Sequence, residues 1–342
     1  MSNVIDPKGP EQQIGGIASS IIEKAGAKFI KDGEWVYTGG KITVPGVYRS
    51  VSIDDYHGNI DLFDGFSISS SGLRAVIRRP SEYWGFSPYN PTPFEREEKA
   101  SLEFGKAAHM LVLGEEGFKN RYILRPATYP DDKGGEKAWS GNSNWCKAWL
   151  EQQRKAGRTV ITETEINHIR NMADALSRKE AIRLGILNGR IERSLFAKDG
   201  EIWLKSRPDV VPNDSGDFVD LKTAASVDDE SLSKAIYSHG YHVQAGLLRM
   251  IVSEVMGAEA FSSFTFVFVE KAPPYDVRVM QLKDEDIDLG EQQARKAIAT
   301  VKECLKRNQW PGYDGFDKEI SYVEMPGWAR TRISVDLQRD AA

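Results

Sequence analysis

The chain has 342 residues, 40% of them hydrophobic and 28% charged, with a formal net charge of −5. It is long enough to bury a substantial core in one large domain or two, and no apolar run approaches the ~20 residues that a membrane-spanning helix needs. Two cysteines far apart, Cys146 and Cys304, exclude a disulfide framework and a four-cysteine zinc or iron–sulfur site.

The start of the chain, MSNVIDPKGPEQQ, lacks the basic and apolar regions of a secretory signal. Together with the cysteine usage this predicts a reducing, cytoplasmic compartment. Residues 1–45 are expected to form an N-terminal extension and 46–342 the main domain. Within the extension, Ile14 to Phe29 can make a helix interrupted by glycines, and Glu34 to Thr38 a short strand closed by Gly39-Gly40. From Asp64 the pattern sharpens. One of Ser69, Ser70 and Ser71 is a natural N-cap for a helix that Pro80 stops. Arg74 and Arg78 share a face of it, which is either a phosphate-contacting face or a solvated basic one.

Ser87 to Glu98 is Pro-rich and acidic, hence a loop. Lys99 to Leu113 reads as a helix with Leu102, Ala108, Leu111 and Val112 on its apolar side. His109 lies in this run, where a lone histidine is a core or rim residue unless other ligands join it. Residues 129–145 read as a polar, Gly-rich loop; Trp139, Trp145 and Trp149 either anchor it to a core or stack on bases. Thr162 to Glu165 opens a helix with a capping-box pattern, and Ile166, Ile169, Ala173 and Leu176 give it a buried stripe. Ile191 to Phe196 reads as a strand that includes Glu192. Further on, Ser231 to Met256 is mostly helical, Phe261 to Glu270 and Val277 to Leu282 are strands, and Asp284 to Arg307 is a long helix. Trp310-Pro311 and Pro326-Gly327-Trp328-Ala329 are expected to order the tail through their aromatics. There are no internal repeats and no heptads.

The centre of the sequence is Glu201 to Thr223, EIWLKSRPDVVPNDSGDFVDLKT. It reads as two antiparallel strands, Ile202 to Val211 and Phe218 to Thr223, joined by a cluster of turn formers. Asp220 and Lys222 are two apart and leave one face of their strand, while Asp209 in the partner strand can approach Asp220. Carboxylates in proximity raise each other's pKa unless a cation neutralises them. A hard divalent ion does so, and Mg²⁺ binds through one or two carboxylates, waters and phosphate oxygens. Lys222 then points its ammonium at the attacking water. The plain alternative is an exposed hairpin with an ordinary Asp/Lys pair, since D-x-K alone is common.

In chain order stand Gly105-Lys106-Ala107-Ala108-His109, Glu192, Arg207-Pro208-Asp209, Asp220-Leu221-Lys222-Thr223 and Tyr241-His242-Val243-Gln244, with Tyr56-His57 and the serines upstream and the two Trp/Pro pieces downstream. This order resembles the RecB-like branch of the PD-(D/E)xK nucleases, and within it the RecE type, the exonuclease VIII of prophages. The likeness runs from about Asp54 to Ala329. It implies an α/β restriction-endonuclease-like core, a central mixed sheet of about five strands flanked by helices. It also implies His109, Asp209 and Asp220 as metal ligands with the Leu221 carbonyl, Lys222 as the group that orients or deprotonates the water, and Gln244 as the residue that holds Lys222 or the scissile phosphate. Glu192 is a candidate for a second-metal or water-mediated role, and Arg74, Arg78 and Tyr241 for DNA contacts. Where relatives carry Q-x-x-x-Y, Leu248 fills the tyrosine position, so no contact is carried over there.

The activity so implied is Mg²⁺-dependent digestion of linear double-stranded DNA in the 5′→3′ direction, with Mn²⁺ as a substitute metal. It leaves a 3′ single strand for a RecT-like annealing partner, in the cytoplasm of a bacterial host whose phage or prophage encodes the enzyme. Relatives form a tetrameric ring around DNA, which reconciles an acidic chain with a phosphate-rich substrate. Two other readings compete: another endonuclease or repair nuclease of the superfamily, and a non-catalytic DNA-binding protein with the same fold. Intact Asp209, Asp220 and Lys222 argue against the latter. No Walker A pattern occurs, so ATP-driven unwinding does not belong to this chain.

Overall fold

A computed structural model describes residues 34–95, 100–113, 118–131, 134–187, 189–191, 193–213, 215–316, 320 and 322–340. The expected helix 14–29 and Glu192 lie outside the described residues. The chain begins with β1 (Glu34–Val36), β2 (Gly46–Arg49), α1 (Ile53–Gly58), β3 (Phe66–Ser69), α2 (Ser70–Arg78) and α3 (Pro80–Gly85). Helix α4 (Ala100–Leu113) is followed by a small lobe made of α5 (Phe118–Arg121), β4 (Tyr122–Leu124), β5 (Thr128–Pro130), β6 (Glu136–Ala138), α6 (Asn144–Lys155) and β7 (Thr159–Ile161). Next come α7 (Glu163–Arg178), α8 (Glu180–Arg183), β8 (Arg190–Ile191), β9 (Ser194–Asp199), β10 (Ile202–Ser206), β11 (Val210–Val211) and β12 (Asp217–Ala224). The remainder is α9 (Asp229–Ser238), α10 (Tyr241–Val255), β13 (Ser263–Glu270), β14 (Val277–Gln281), α11 (Asp284–Arg307) and α12 (Gly327–Asp340). Among the described residues no helix is long and apolar enough to cross a membrane.

The architecture is the expected α/β arrangement, a mixed sheet flanked by helices, with a second sheet beside it. The central sheet has the order β14-β13-β12-β11-β8, with β12 and β13 parallel and the other pairs antiparallel. Strict alternation along β12 and β13 sorts its two faces. Phe218, Phe264, Phe266 and Phe268 enter a core shared with α2, α10 and α11. Val219, Leu221, Val267 and Val269 enter another, shared with α4 and α7. The second sheet, β1-β2-β9-β10-β3, covers a third core of Tyr48, Tyr56, Phe63, Phe196 and Trp203.

The two strands read as continuous, 191–196 and 202–211, are each split between these sheets. β10 pairs with β9 and β3 in the second sheet. After Arg207-Pro208-Asp209 the chain enters the central sheet as β11, where its one pair with β12 is Val210 with Val219. Pro208 has no N–H to give a ladder, and a strand is free to change sheets there. The expected hairpin is therefore reduced to that pair, and Asp209 stands at the crossing point rather than inside a strand. A buried ion cluster ties the sheets together at the other crossing: Glu34 of β1 takes Arg190 at 2.5 Å and Arg193 at 3.0 Å.

Other expectations compare directly. The capping box at Thr162 and Glu165 is formed in both directions, at 3.2 and 2.8 Å. The long helix spans Asp284–Arg307 as read, whereas the segment 231–256 breaks at His239-Gly240 into α9 and α10. Ser69 is the N-cap of α2, but its hydroxyl meets Ser71 instead of a backbone N–H. Leu102 is exposed while Ala107 joins the apolar side of α4. Residues 129–145 hold the β5–β6 hairpin in place of a featureless loop. Trp310 is anchored as expected, stacked on Trp84 at 5.0 Å, whereas Trp328 is exposed.

Helices α10 and α11 cross at two glycines. A Cβ on Gly290 would lie 1.9 Å from the His242 carbonyl oxygen, and one on Gly246 would lie 2.2 Å from the Glu291 nitrogen. Neither neighbour can yield, because both are backbone. Gly290→Ala is expected to force the helices apart and cost about 1–3 kcal/mol, read as a lower urea midpoint. An unchanged midpoint would show that the crossing tolerates a methyl group.

Candidate active site

Four segments converge where the chain passes between the sheets. His109 comes from α4, whose Ala107, Ala108 and Leu111 pack in the same core as Val219 and Leu221. Asp209 follows the Pro208 break, Asp220 and Lys222 come from one face of β12, and Tyr241 and Gln244 from the first turn of α10. His109 Nε2 lies 2.8 Å from Asp209 Oδ1, and the Leu221 N–H donates to Asp209 Oδ2 at 2.6 Å. Asp220 is 1% exposed. Its carboxylate takes the Lys222 ammonium on Oδ2 and the Gln244 side-chain amide on Oδ1, the latter at 2.9 Å. The Lys222 ammonium also lies 5.5 Å from the centre of the Tyr241 ring.

The electrostatics follow from two acids in one buried space. Burial and then the charge of Asp209 hold the Asp220 carboxyl above its usual range, against the pull of Lys222. Burial also works against ionised Asp209, but His109, Lys222 and the Leu221 N–H outweigh it and hold that carboxyl low. Burial disfavours the Lys222 charge, and the two acids more than restore it, so its pKa is raised. The pair of acids is thus poised for a cation.

The donor types suit a hard divalent ion: two carboxylates, one imidazole and the Leu221 carbonyl. As they stand, the carboxylate oxygens are engaged by His109, Lys222, Gln244 and the Leu221 N–H, and among the described residues no group of three His, Cys, Asp or Glu is arranged to hold a metal. A metal would therefore displace hydrogen bonds of this ring. Gln244, expected to hold Lys222 or the scissile phosphate, donates here to Asp220.

Arg74 and Arg78 part company. Arg74 is largely buried, donates to the His239 carbonyl, and lies in the field of Tyr241 and Asp220. It passes Gly240, whose φ of +62° suits a glycine and where a Cβ would lie 2.6 Å from Arg74 Cδ. Arg78 is turned to Glu82, at 2.7 Å, and does not join the site. The i,i+4 spacing that makes this pair was visible in the sequence, but Pro80 suggested that the helix face ended before it.

A second group was missed. Lys205, Arg207, Lys106 and Arg121 surround His57, and burial with these charges pushes its pKa down to about 4. Arg207 and Lys205 lie two and four positions before Asp209, and Lys106 is one turn from His109, so along the chain the basic group borders the acid pair. Period-two alternation through 205, 207 and 209 was the available signal. Lys205 is 8% exposed, donates to the Tyr56 carbonyl at 2.6 Å, and has no carboxylate within ion-pair distance among the described residues. Burial pushes its pKa down to about 8.

An ammonium buried in this way lowers stability while it is charged. The cost is complete below pH 8 and vanishes above the unfolded value of 10.5. Lys205→Met is expected to stabilise the fold by about 1–3 kcal/mol at pH 7, with the gap to the parent closing between pH 8 and 10.5. Urea unfolding of both proteins at pH 7 and pH 10 checks this, and a gap that is constant with pH would refute the burial cost.

Comparison with known proteins bears on the family and the fold. The family model described as "PDDEXK-like domain of unknown function (DUF3799)" matches residues 83–320. No curated protein matches the sequence. Among solved structures, a protein from Eubacterium rectale named as a candidate exonuclease aligns over 83% of this chain and 98% of its own, with TM-score 0.52 and 12% identity. That likeness is one of fold. An alkaline exonuclease from Laribacter hongkongensis aligns over 49% of this chain and 87% of its own, with TM-score 0.23 and 15% identity. Rai1 of Candida albicans, in complex with pU5 and Mn²⁺, aligns over 53% and 56%, with TM-score 0.25 and 12% identity. Neither of these two weaker likenesses supports an argument.

Proposed function

The chain belongs to the PDDEXK-like family that matches its residues 83–320, and on that premise we propose that it is a metal-dependent exodeoxyribonuclease of the RecE type. It digests linear duplex DNA in the 5′→3′ direction and leaves a 3′ single strand. The observation that carries this reading is the buried meeting of Asp209 and Asp220, with an imidazole on one and an ammonium on the other.

Mg²⁺, or Mn²⁺ in its place, is the expected ion, held by His109, Asp209, Asp220 and the Leu221 carbonyl; when bound it activates water and relieves charge on the phosphoryl oxygens. The protein's own side chains do the positioning. Lys222 holds a positive charge beside the acids, where the phosphate gains negative charge as the bond breaks. Gln244 fixes the Asp220 carboxylate in one orientation, and the Leu221 N–H does the same for Asp209. The Tyr241 ring limits where the Lys222 ammonium can lie. Arg74 and the basic group around His57 supply cations for the backbone of the substrate.

In this reading the 3′ strand passes to a RecT-like annealing protein, four copies of the chain form a ring around the duplex, and the setting is the cytoplasm of a bacterium whose phage or prophage encodes the enzyme. The local basic groups support a DNA substrate despite the acidic net charge.

The test is cleavage of linear duplex labelled at the 5′ or the 3′ end, beside covalently closed circles. With Mg²⁺ the 5′ label is released first and circles survive, and a chelator abolishes both losses. Cut circles would point to an endonuclease, and early release of the 3′ label to the opposite polarity. Lys222→Ala is expected to lower kcat by about 10²–10³ and Gln244→Ala by about 10–100, each with an unfolding midpoint near the parent's. Full activity in both variants would remove the mechanism.

A further inference from the structure

The lobe between α4 and α7 has a chemistry unlike the rest of the chain. Residues 118–161 hold nine Lys/Arg and four Asp/Glu, in a protein whose net charge is −5. Phe118 and Tyr122 join the core shared with α4 and α7, but Tyr129, Trp139, Trp145 and Trp149 belong to none of the three cores. They gather on one another instead: Tyr129 stacks on Trp145 at 6.0 Å and 22°, and Trp139 meets Trp145 at 6.4 Å and Trp149 at 5.4 Å, both edge-on. The Arg125 guanidinium lies over the Trp139 ring at 5.7 Å. Lys137 is the cross-strand partner of Tyr129, so the two side chains leave the same face of the hairpin. Trp145 is 39% exposed and Arg125 and Lys137 are exposed, so rings and cations alike reach solvent.

Exposed rings with cations among them, and a local surplus of positive charge, match one partner. Bases stack on aromatic faces irrespective of sequence, and phosphates follow the cations. An acidic protein surface would use the charge but not the rings. The lobe is tied to the active-site helix, since Thr159 Oγ1 donates to Glu103 on α4 at 3.3 Å and Glu103 ion-pairs with Lys106, one turn from His109.

We propose that the Tyr129, Trp139, Trp145 and Arg125 face of this lobe is a stacking platform for single-stranded DNA. The proposal rests on the nuclease reading for its purpose, because digestion from an end leaves such a strand, and it adds a site where that strand is held. Trp145 supplies the stacking surface, and Arg125 and Lys137 the phosphate contacts.

The experiment is binding of a fluorescent oligo(dT) to the full-length protein in chelator, so that no cleavage intervenes, with duplex digestion measured separately. Trp145→Ala is expected to weaken binding about tenfold or more, and Trp145→Phe to stay within about twofold because a ring remains. Lys137→Ala should reduce the slope of log affinity against log salt by about 0.7. Trp328→Ala removes an exposed tryptophan elsewhere and should change nothing. Failure of the parent protein to bind oligo(dT), an unaltered affinity in Trp145→Ala, or an equal loss in Trp328→Ala would overturn the platform. Because oligo(dT) binding requires no hydrolysis, a protein that binds but does not cut would sink the nuclease reading alone.

Discussion

Two aspartates that cannot comfortably share a buried space determine much of this molecule. Asp209 and Asp220 are each largely sealed from water, and the charge of Asp209 raises the cost of ionising Asp220. The fold answers with one positive or proton-bearing group per acid: His109 from below the sheet and Lys222 from beside it. His109 comes from α4 on one face of the sheet and Gln244, which holds Asp220, from α10 on the other, so the site exists only while both cores are intact. Stability and chemistry are coupled here through packing more than through any single bond.

The geometry that brings the acids together depends on the chain changing sheets at Arg207-Pro208-Asp209. A continuous strand would have paired Asp209 in a ladder and left it with no freedom to turn. At a crossing it can accept the Leu221 N–H and face His109 together. The same crossing sets Lys205 and Arg207 on the path leading into the site, so an acidic centre is bordered by cations within a few residues of chain.

Much of this was legible in the sequence because short-range chemistry dictated it. The alternation in Phe218 to Thr223 placed Asp220 and Lys222 on one face, and the Thr162–Glu165 pair marked a helix start that the structure forms in both directions. What was not legible depends on partners distant in sequence. Nothing local tells strand 202–211 to divide between two sheets; Pro208 permits the break, but β3 and β9 decide where β10 goes. Arg74 and Arg78 look alike at four-residue spacing, and only the neighbours Gly240 and Glu82 separate a residue near the site from one tied up at the surface. Lys205 read as an ordinary polar position in a strand, since its burial comes from Tyr56 and α1 some 150 positions earlier.

The net charge is the clearest case of a property that misleads when it is averaged. A value of −5 argues against a polyanionic partner only if charge is spread evenly. In this fold it is not. Four cations act together on His57, and the lobe holds a surplus of five positive charges over residues 118–161. Screening limits the reach of exposed charge to about 8–10 Å at physiological salt. A phosphate therefore responds to the groups within that radius, and acids beyond it are a matter for solubility. The electrostatic character of each face then follows from which segments the fold brings within one screening length of it.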